Sequence, residues 1–167
     1  MKLNSLHDLY VAELKDLYDA ENRIIKALPK MAEAANSSDL RTAFEQHLEE
    51  TRNHSRRLEQ IFQKLDEPPK GEKCKGIAGI IDEGEDVMDD AEDAPPAVCD
   101  ASLIAAAQRV EHYEIAAYGT ARTFARRLGY EAQAQLLDQT LQEEGNADKK
   151  LTSLAESYIN EDAKSAR

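Results

Sequence analysis

The chain has 167 residues, 33 acidic against 21 basic, for a formal charge of −12, which is length enough for one domain with a real core. A 41% hydrophobic but 5% aromatic composition, without tryptophan and rich in Ala, Leu, Glu, Lys and Arg, favours helices and excludes an all-β sandwich. With no basic cluster to offset the negative charge, no nucleic acid and no membrane is expected as a partner.

The leading stretch MKLNSLHDLY lacks the apolar region of a signal peptide, so a cytoplasmic protein is expected. Apolar residues at helical spacing, among them Leu6, Leu9, Leu14, Leu17, Ile24, Leu28 and Met31, predict a first long helix over about 4–35. Pro29 removes one backbone donor inside it, so an irregularity is expected near Ile25 to Pro29. Asn36-Ser37-Ser38-Asp39 supplies a turn and a cap. Leu40, Phe44, Leu48, Leu58, Phe62 and Leu65 then mark a second helix over about 39–65, antiparallel to the first because the turn is short. The second half repeats the plan, with helices over about 101–128 and 131–158 around a turn at Gly129-Tyr130.

Between the halves, residues 66–100 are too long for a hairpin and long enough to cross the length of a bundle. Ile77, Ile80, Ile81, Val87 and Met88 place a short fifth helix at about 75–90 on this crossover. Residues 82–93 hold eight acids and no base, which reads as a solvated face because EF-hand spacing is absent. Cys74 and Cys99 have neither CxxC spacing nor neighbouring histidines and read as incidental thiols. The fold expected is one all-α domain over 1–167, an antiparallel four-helix bundle with a long crossover.

The informative feature is where acids interrupt the apolar stripes, since a carboxylate in a bundle core costs several kcal/mol unless paired or bound to a metal. The last helix reads Leu137, Leu141, Glu144, Asp148, Leu151, Ala155, and the one before it Ala107, Glu111, Glu114, Tyr118, Ala121. Glu21 follows Leu14 and Leu17 and precedes Ile24 and Leu28, which directs it inward. On the second helix Glu50 and His54, four apart, border the Phe44, Leu48, Leu58 stripe together with Ala43, His47 and Ile61, and can reach one ion.

A shift of 93 residues lays Glu21 on Glu114, whereas a shift of 94 lays Glu50 on Glu144 and His54 on Asp148. A constant 93 would select Glu143; Glu144 is preferred because it obeys the apolar stripe. The candidate ligand set is therefore Glu21, Glu50, His54, Glu111, Glu114, Glu144 and Asp148. Carboxylates from every helix plus a histidine suit two divalent first-row ions.

The segments LYDAENRIIKALPKMAEAA, HLEETRNHSRRLEQIF, VEHYEIAAYGTAR and LQEEGNADKKLTSLAE carry a resemblance to the YciF-type ferritin-like stress proteins, extending over nearly the whole chain. The resemblance implies a ferritin-like bundle, a dinuclear site holding iron ahead of manganese, a homodimer, and a link to general stress responses. More distantly, Glu111 and Glu114 are similar to the two-glutamate third helix of rubrerythrins, Glu21 to their first-helix glutamate, and Glu50 and Glu144 to those of helices two and four. The histidines expected three residues after the last two are Asn53 and Ala147 here, which implies a carboxylate-richer site or a locally widened helix turn. The four-cysteine electron-transfer module of rubrerythrins is absent, so an oxidoreductase would need an external electron donor.

The function expected is that of a stress protein whose two metal ions act on peroxide or dioxygen. Metal binding without turnover, and a metal-free dimeric interaction protein, are the alternatives. Tyr18, Tyr113 and Tyr118 fall near the ligands and are expected mainly to pack. Ser-based hydrolysis and nucleotide binding have no motif here.

Overall fold

The computed structural model describes residues 3–91 and 93–166; Glu92, one of the eight acids of the crossover run, lies outside them. The elements are α1 (Leu6–Ala34), α2 (Ser38–Leu65), α3 (Lys75–Asp90), α4 (Pro96–Arg127) and α5 (Glu131–Leu154). A π-helical turn, Ala155–Ile159, carries the last of these into α6 (Asn160–Ser165). Among the described residues there is no strand.

Local chemistry sets the ends. Ser5 Oγ accepts from Asp8 N at 3.0 Å to start α1, and Ser37 Oγ accepts from Leu40 N at 3.3 Å to start α2. The α1–α2 turn is held from across the molecule, because Asp100 of α4 accepts from Asn36 N at 2.7 Å and Ser37 N at 2.8 Å. At the far end of α2, Asp66 takes the left-handed conformation with φ 55°. Gly129, φ 78°, turns α4 into α5, where Tyr130 N donates to Ala125 O at 2.9 Å.

The structure refines the sequence reading at three places. The fourth helix starts at Pro96 rather than near residue 101, because proline at the first helical position loses no intrahelical bond. α1 continues as α-helix through Pro29. The widened turn falls at Ala155–Ile159, whereas α2 and α5 are regular α-helix at every residue up to Leu65 and Leu154.

The four long helices form a closed square, with α1 packed on α2 and α4, and α5 packed on α4 and α2. Helix α3 lies over α1 and α4, burying Ile77 and Cys74 completely. The apolar core comes in two blocks. One holds Ile24, Leu28, Leu40, Phe44, Leu103 and Leu151, and the other Tyr10, Leu14, Leu17, Leu58, Phe62 and Leu137. Along each long helix a polar residue falls between the blocks, so a charged layer divides the core.

Candidate metal centre

That layer consists of Glu21 from α1, His47, Thr51 and His54 from α2, Glu111 and Glu114 from α4, and Glu144 from α5, all buried. Glu21, His54, Glu114 and Glu144 are 0% exposed. Their positions follow from the helical period: each continues the apolar stripe that its neighbours one turn away form with the two core blocks.

Two groups of potential ligands emerge, His47 with Glu111, Glu114 and Glu144, and Glu21 with His54 and Glu144, each with its ligand atoms within 4.8 Å of one another. Glu144 belongs to both. His47 Nε2 lies 3.3 Å from Glu111 Oε1 and 3.6 Å from Glu144 Oε2. His54 Nδ1 lies 2.9 Å from Glu144 Oε1 and 3.5 Å from Glu21 Oε1. The shorter contact still does not align as a hydrogen bond, since both of its atoms count as buried without a partner.

Among the described residues nine buried side-chain polar atoms lack a hydrogen-bond partner, and eight of them are in this layer: Glu21 Oε2, His47 Nε2, His54 Nδ1, Glu111 Oε2, both Glu114 oxygens and both Glu144 oxygens. Native interiors rarely leave such atoms orphaned, and a shared cation is what this set of hard oxygens and imidazole nitrogens fits.

The electrostatics agree. Burial, then the Glu21 and Glu144 charges, push the Glu114 carboxyl well above the usual glutamate range. Burial, then Glu111 and Glu21, do the same to Glu144, and burial raises Glu111 against the pull of His47. Burial opposes the charged form of both imidazoles, but the surrounding carboxylates outweigh it and hold His47 and His54 above their ordinary value. Tyr118 donates to Glu21 Oε1, and burial with the Glu21 charge keeps its proton in place.

The outer faces of the two histidines are also held. His54 Nε2 pairs with Glu143 Oε2 at 2.9 Å, and Glu143 is gripped by Arg57 through contacts of 2.5 and 2.9 Å. Burial works against the Glu143 charge, yet Arg57 brings its carboxyl below the usual range. His47 Nδ1 pairs with Glu50 Oε2 at 3.3 Å, which lowers the Glu50 carboxyl. A carboxylate on the far nitrogen fixes which nitrogen faces a metal.

Five of the seven candidates from sequence, Glu21, His54, Glu111, Glu114 and Glu144, meet in the layer. Glu50 does not; its side chain is 49% exposed and reaches the layer only through His47. Asp148 lies a turn beyond Glu144 and pairs with Gln108 Nε2 at 2.9 Å and with His112 Nε2 at 3.3 Å. His47 is the residue of the layer missing from that candidate set, although its spacing with Thr51, His54 and Leu58 already continued the buried stripe. The offset between the halves is also corrected. Adding 93 to the ten buried positions of α2 lands on six buried residues, Gln133, Leu137, Thr140, Glu144, Leu151 and Ala155, and on four half-buried ones, Leu136, Ala147, Asp148 and Leu154. Glu144 is thus the counterpart of Thr51, and Glu50 that of Glu143. Of the tyrosines, only Tyr118 touches the layer; Tyr18 donates to Glu59, and Tyr113 to Asp16.

Fold and site together define an all-helical protein with a buried carboxylate–histidine layer across its core. Residues 5–164 match the family described as a domain of unknown function, DUF892, and the chain belongs to that family. It is 42% identical to Protein YciF of Escherichia coli (strain K12) over 164 residues, 98% of each chain. The crystal structure of that stress protein matches with a TM-score of 0.89, covering 94% of this chain and 98% of its own. A Rhodopseudomonas palustris protein, YcfI, matches with a TM-score of 0.87 and 42% identity, covering 91% of this chain and 96% of its own. A Xanthomonas campestris protein shares the fold at 20% identity, with a TM-score of 0.72 over 93% of this chain and 94% of that one. No described helix is long and apolar enough to cross a membrane.

Proposed function

We propose that this chain is a ferritin-like metalloprotein of the stress response that holds two divalent first-row ions, iron ahead of manganese, and acts on peroxide or dioxygen. The observation that carries the reading is the set of eight orphaned atoms on six buried residues, divided into two ligand groups that share Glu144. Bound there, two such ions would supply one-electron steps and open coordination positions for an oxidant.

The chain's own residues supply the rest. Glu21, Glu111, Glu114 and Glu144 offset the ions' charge, and the two imidazoles, both from α2, complete the set. This differs from the di-iron pattern in which two helices each bring a Glu-x-x-His pair. Glu143 and Arg57 hold the His54 ring, the Tyr118 hydroxyl keeps a proton at Glu21, and the apolar blocks on either side exclude water. An external electron donor and a homodimer belong to the same reading.

Elemental analysis after anaerobic loading with ferrous or manganous ion tests it. Two ions per chain are expected, with fewer in Glu114→Ala and Glu144→Ala; no stoichiometric metal in the wild type overturns it and leaves an interaction protein as the better reading. Reoxidation of the reduced, loaded protein by hydrogen peroxide then separates turnover from metal binding alone.

A further inference from the structure

Two openings between the helices reach Glu111, and their chemistry differs. One, a cavity of about 30 Å³ beneath α3, is walled by apolar side chains such as Ile24, Ile81, Met88 and Val110. The other, about 100 Å³ between α2 and α5, carries Gln46, Glu50, Asn146 and Lys150 on its wall and reaches His47 and Glu111. Those last two are 7% and 3% exposed, and His47 Nε2 and Glu111 Oε2 have no hydrogen-bond partner. Ala43 and Ala147 also line this cleft, and one-carbon side chains leave the gap open.

We propose that the cleft between α2 and α5 is the route by which divalent cations reach the buried layer, with Glu50 the outermost oxygen ligand and a Lys150–Gln46 bridge the barrier across its mouth. The proposal rests on the metal-centre reading above. The only carboxylates lining the largely apolar opening under α3 are Glu85, already paired with Lys30 at 2.7 Å, and Glu111, so a divalent ion shedding water between them would meet few replacement ligands, at a high cost. The α2–α5 cleft offers a succession of them. Glu50, half exposed, lies 3.3 Å from His47 Nδ1, and His47 Nε2 lies 3.3 Å from Glu111. Against this runs Lys150, whose Nζ donates to Gln46 Oε1 at 2.6 Å and ties α5 to α2. Its ammonium is a like charge placed where an incoming cation must pass, so it slows uptake without touching the ligands.

The test is the rate at which the metal-free full chain takes up cobalt(II), followed by stopped-flow visible absorption, with the final stoichiometry from elemental analysis. Ala147→Phe fills the cleft and is expected to slow uptake by about tenfold or more at wild-type stoichiometry, whereas Lys150→Gln is expected to speed it by about three- to tenfold. The second effect should shrink as salt screens the charge. Wild-type rates in both variants overturn the route while leaving the metal centre standing. If Ala147→Phe does not fold, Lys150→Gln decides alone, since that side chain is at the surface. No cobalt bound by the wild type at equilibrium overturns the centre itself, and the route with it.

Discussion

Glu50 and Glu143, 93 residues apart and at equivalent places in the two helix pairs, each set a carboxylate oxygen on the outer nitrogen of a buried histidine. Glu50 meets His47 Nδ1 at 3.3 Å and Glu143 meets His54 Nε2 at 2.9 Å. The two histidines consequently present different nitrogens, Nε2 and Nδ1, to the same layer. Rim acids stand at matching places in both helix pairs, whereas the histidines come from one half only.

Glu143 is therefore a positioning residue. Glu143→Gln keeps the shape but loses the charge that pairs with Arg57 and His54. If His54 holds a metal as proposed, metal affinity is expected to fall by about 10- to 100-fold, as it does when the outer partner of a metal-ligating histidine is removed. Competition with a chelator of known affinity measures this, and an unchanged affinity would show that the His54 ring needs no such support.

The metal-free protein should lose stability as pH rises. Glu111, Glu114 and Glu144 have folded pKa values raised above the ordinary glutamate value of 4.5, and His47 and His54 above the ordinary histidine value of 6.5. In all five the folded state binds more protons than the unfolded one, so the stability they contribute is full below the unfolded value and declines as pH passes through the folded one. Denaturation with chelator present should show a more stable protein at about pH 5.5 than at about pH 8. Glu50 and Glu143, whose pKa values are lowered, give the opposite slope only as pH falls below 4.5. Metal binding needs deprotonated ligands, so the loaded protein should gain on the free one as pH rises.

Glu114→Gln should separate stability from binding. Neither Glu114 oxygen has a partner, and the side chain is 0% exposed. Replacing it with a neutral amide should stabilise the metal-free protein by about 1–3 kcal/mol at neutral pH while lowering the metal stoichiometry. Thermal unfolding with and without metal reads both effects; destabilisation in the metal-free state would contradict the reading of a strained charge.

Asp100 anchors the α1–α2 turn from outside the layer. It is 4% exposed and accepts both backbone N–H groups of the α1–α2 turn. Asp100→Ala leaves two donors without partners and should cost about 2–4 kcal/mol in chemical denaturation.

Gly76 permits the close passage of α3 over α4. A Cβ there would stand 2.5 Å from Tyr113 Cε2, on a ring whose hydroxyl donates to Asp16 at 2.8 Å and lies 3.1 Å from Cys74 Sγ. Gly76→Ala should destabilise by about 1–3 kcal/mol, as overpacked sites do, and expose the otherwise buried Cys74 thiol to a thiol reagent.

The amino-acid sequence by itself determined the helices, the crossover helix at Lys75–Asp90 and the inward direction of Glu21, Glu111, Glu114 and Glu144. A helical stripe is a local, periodic signal, and these acids sit near its mid-line. Only the tertiary structure decided the residues at the stripe's edge and their heights. Glu50 lies roughly 80° round α2 from the mid-line, where the approach of α5 settles whether a side chain is covered, and it is left half exposed. Asp148 fails on height instead, one turn along α5, where it meets Gln108 rather than the layer. The Lys150–Gln46 bridge joins residues 104 apart, and no periodicity within either helix encodes such a meeting, because it depends on how two helices align along their axes.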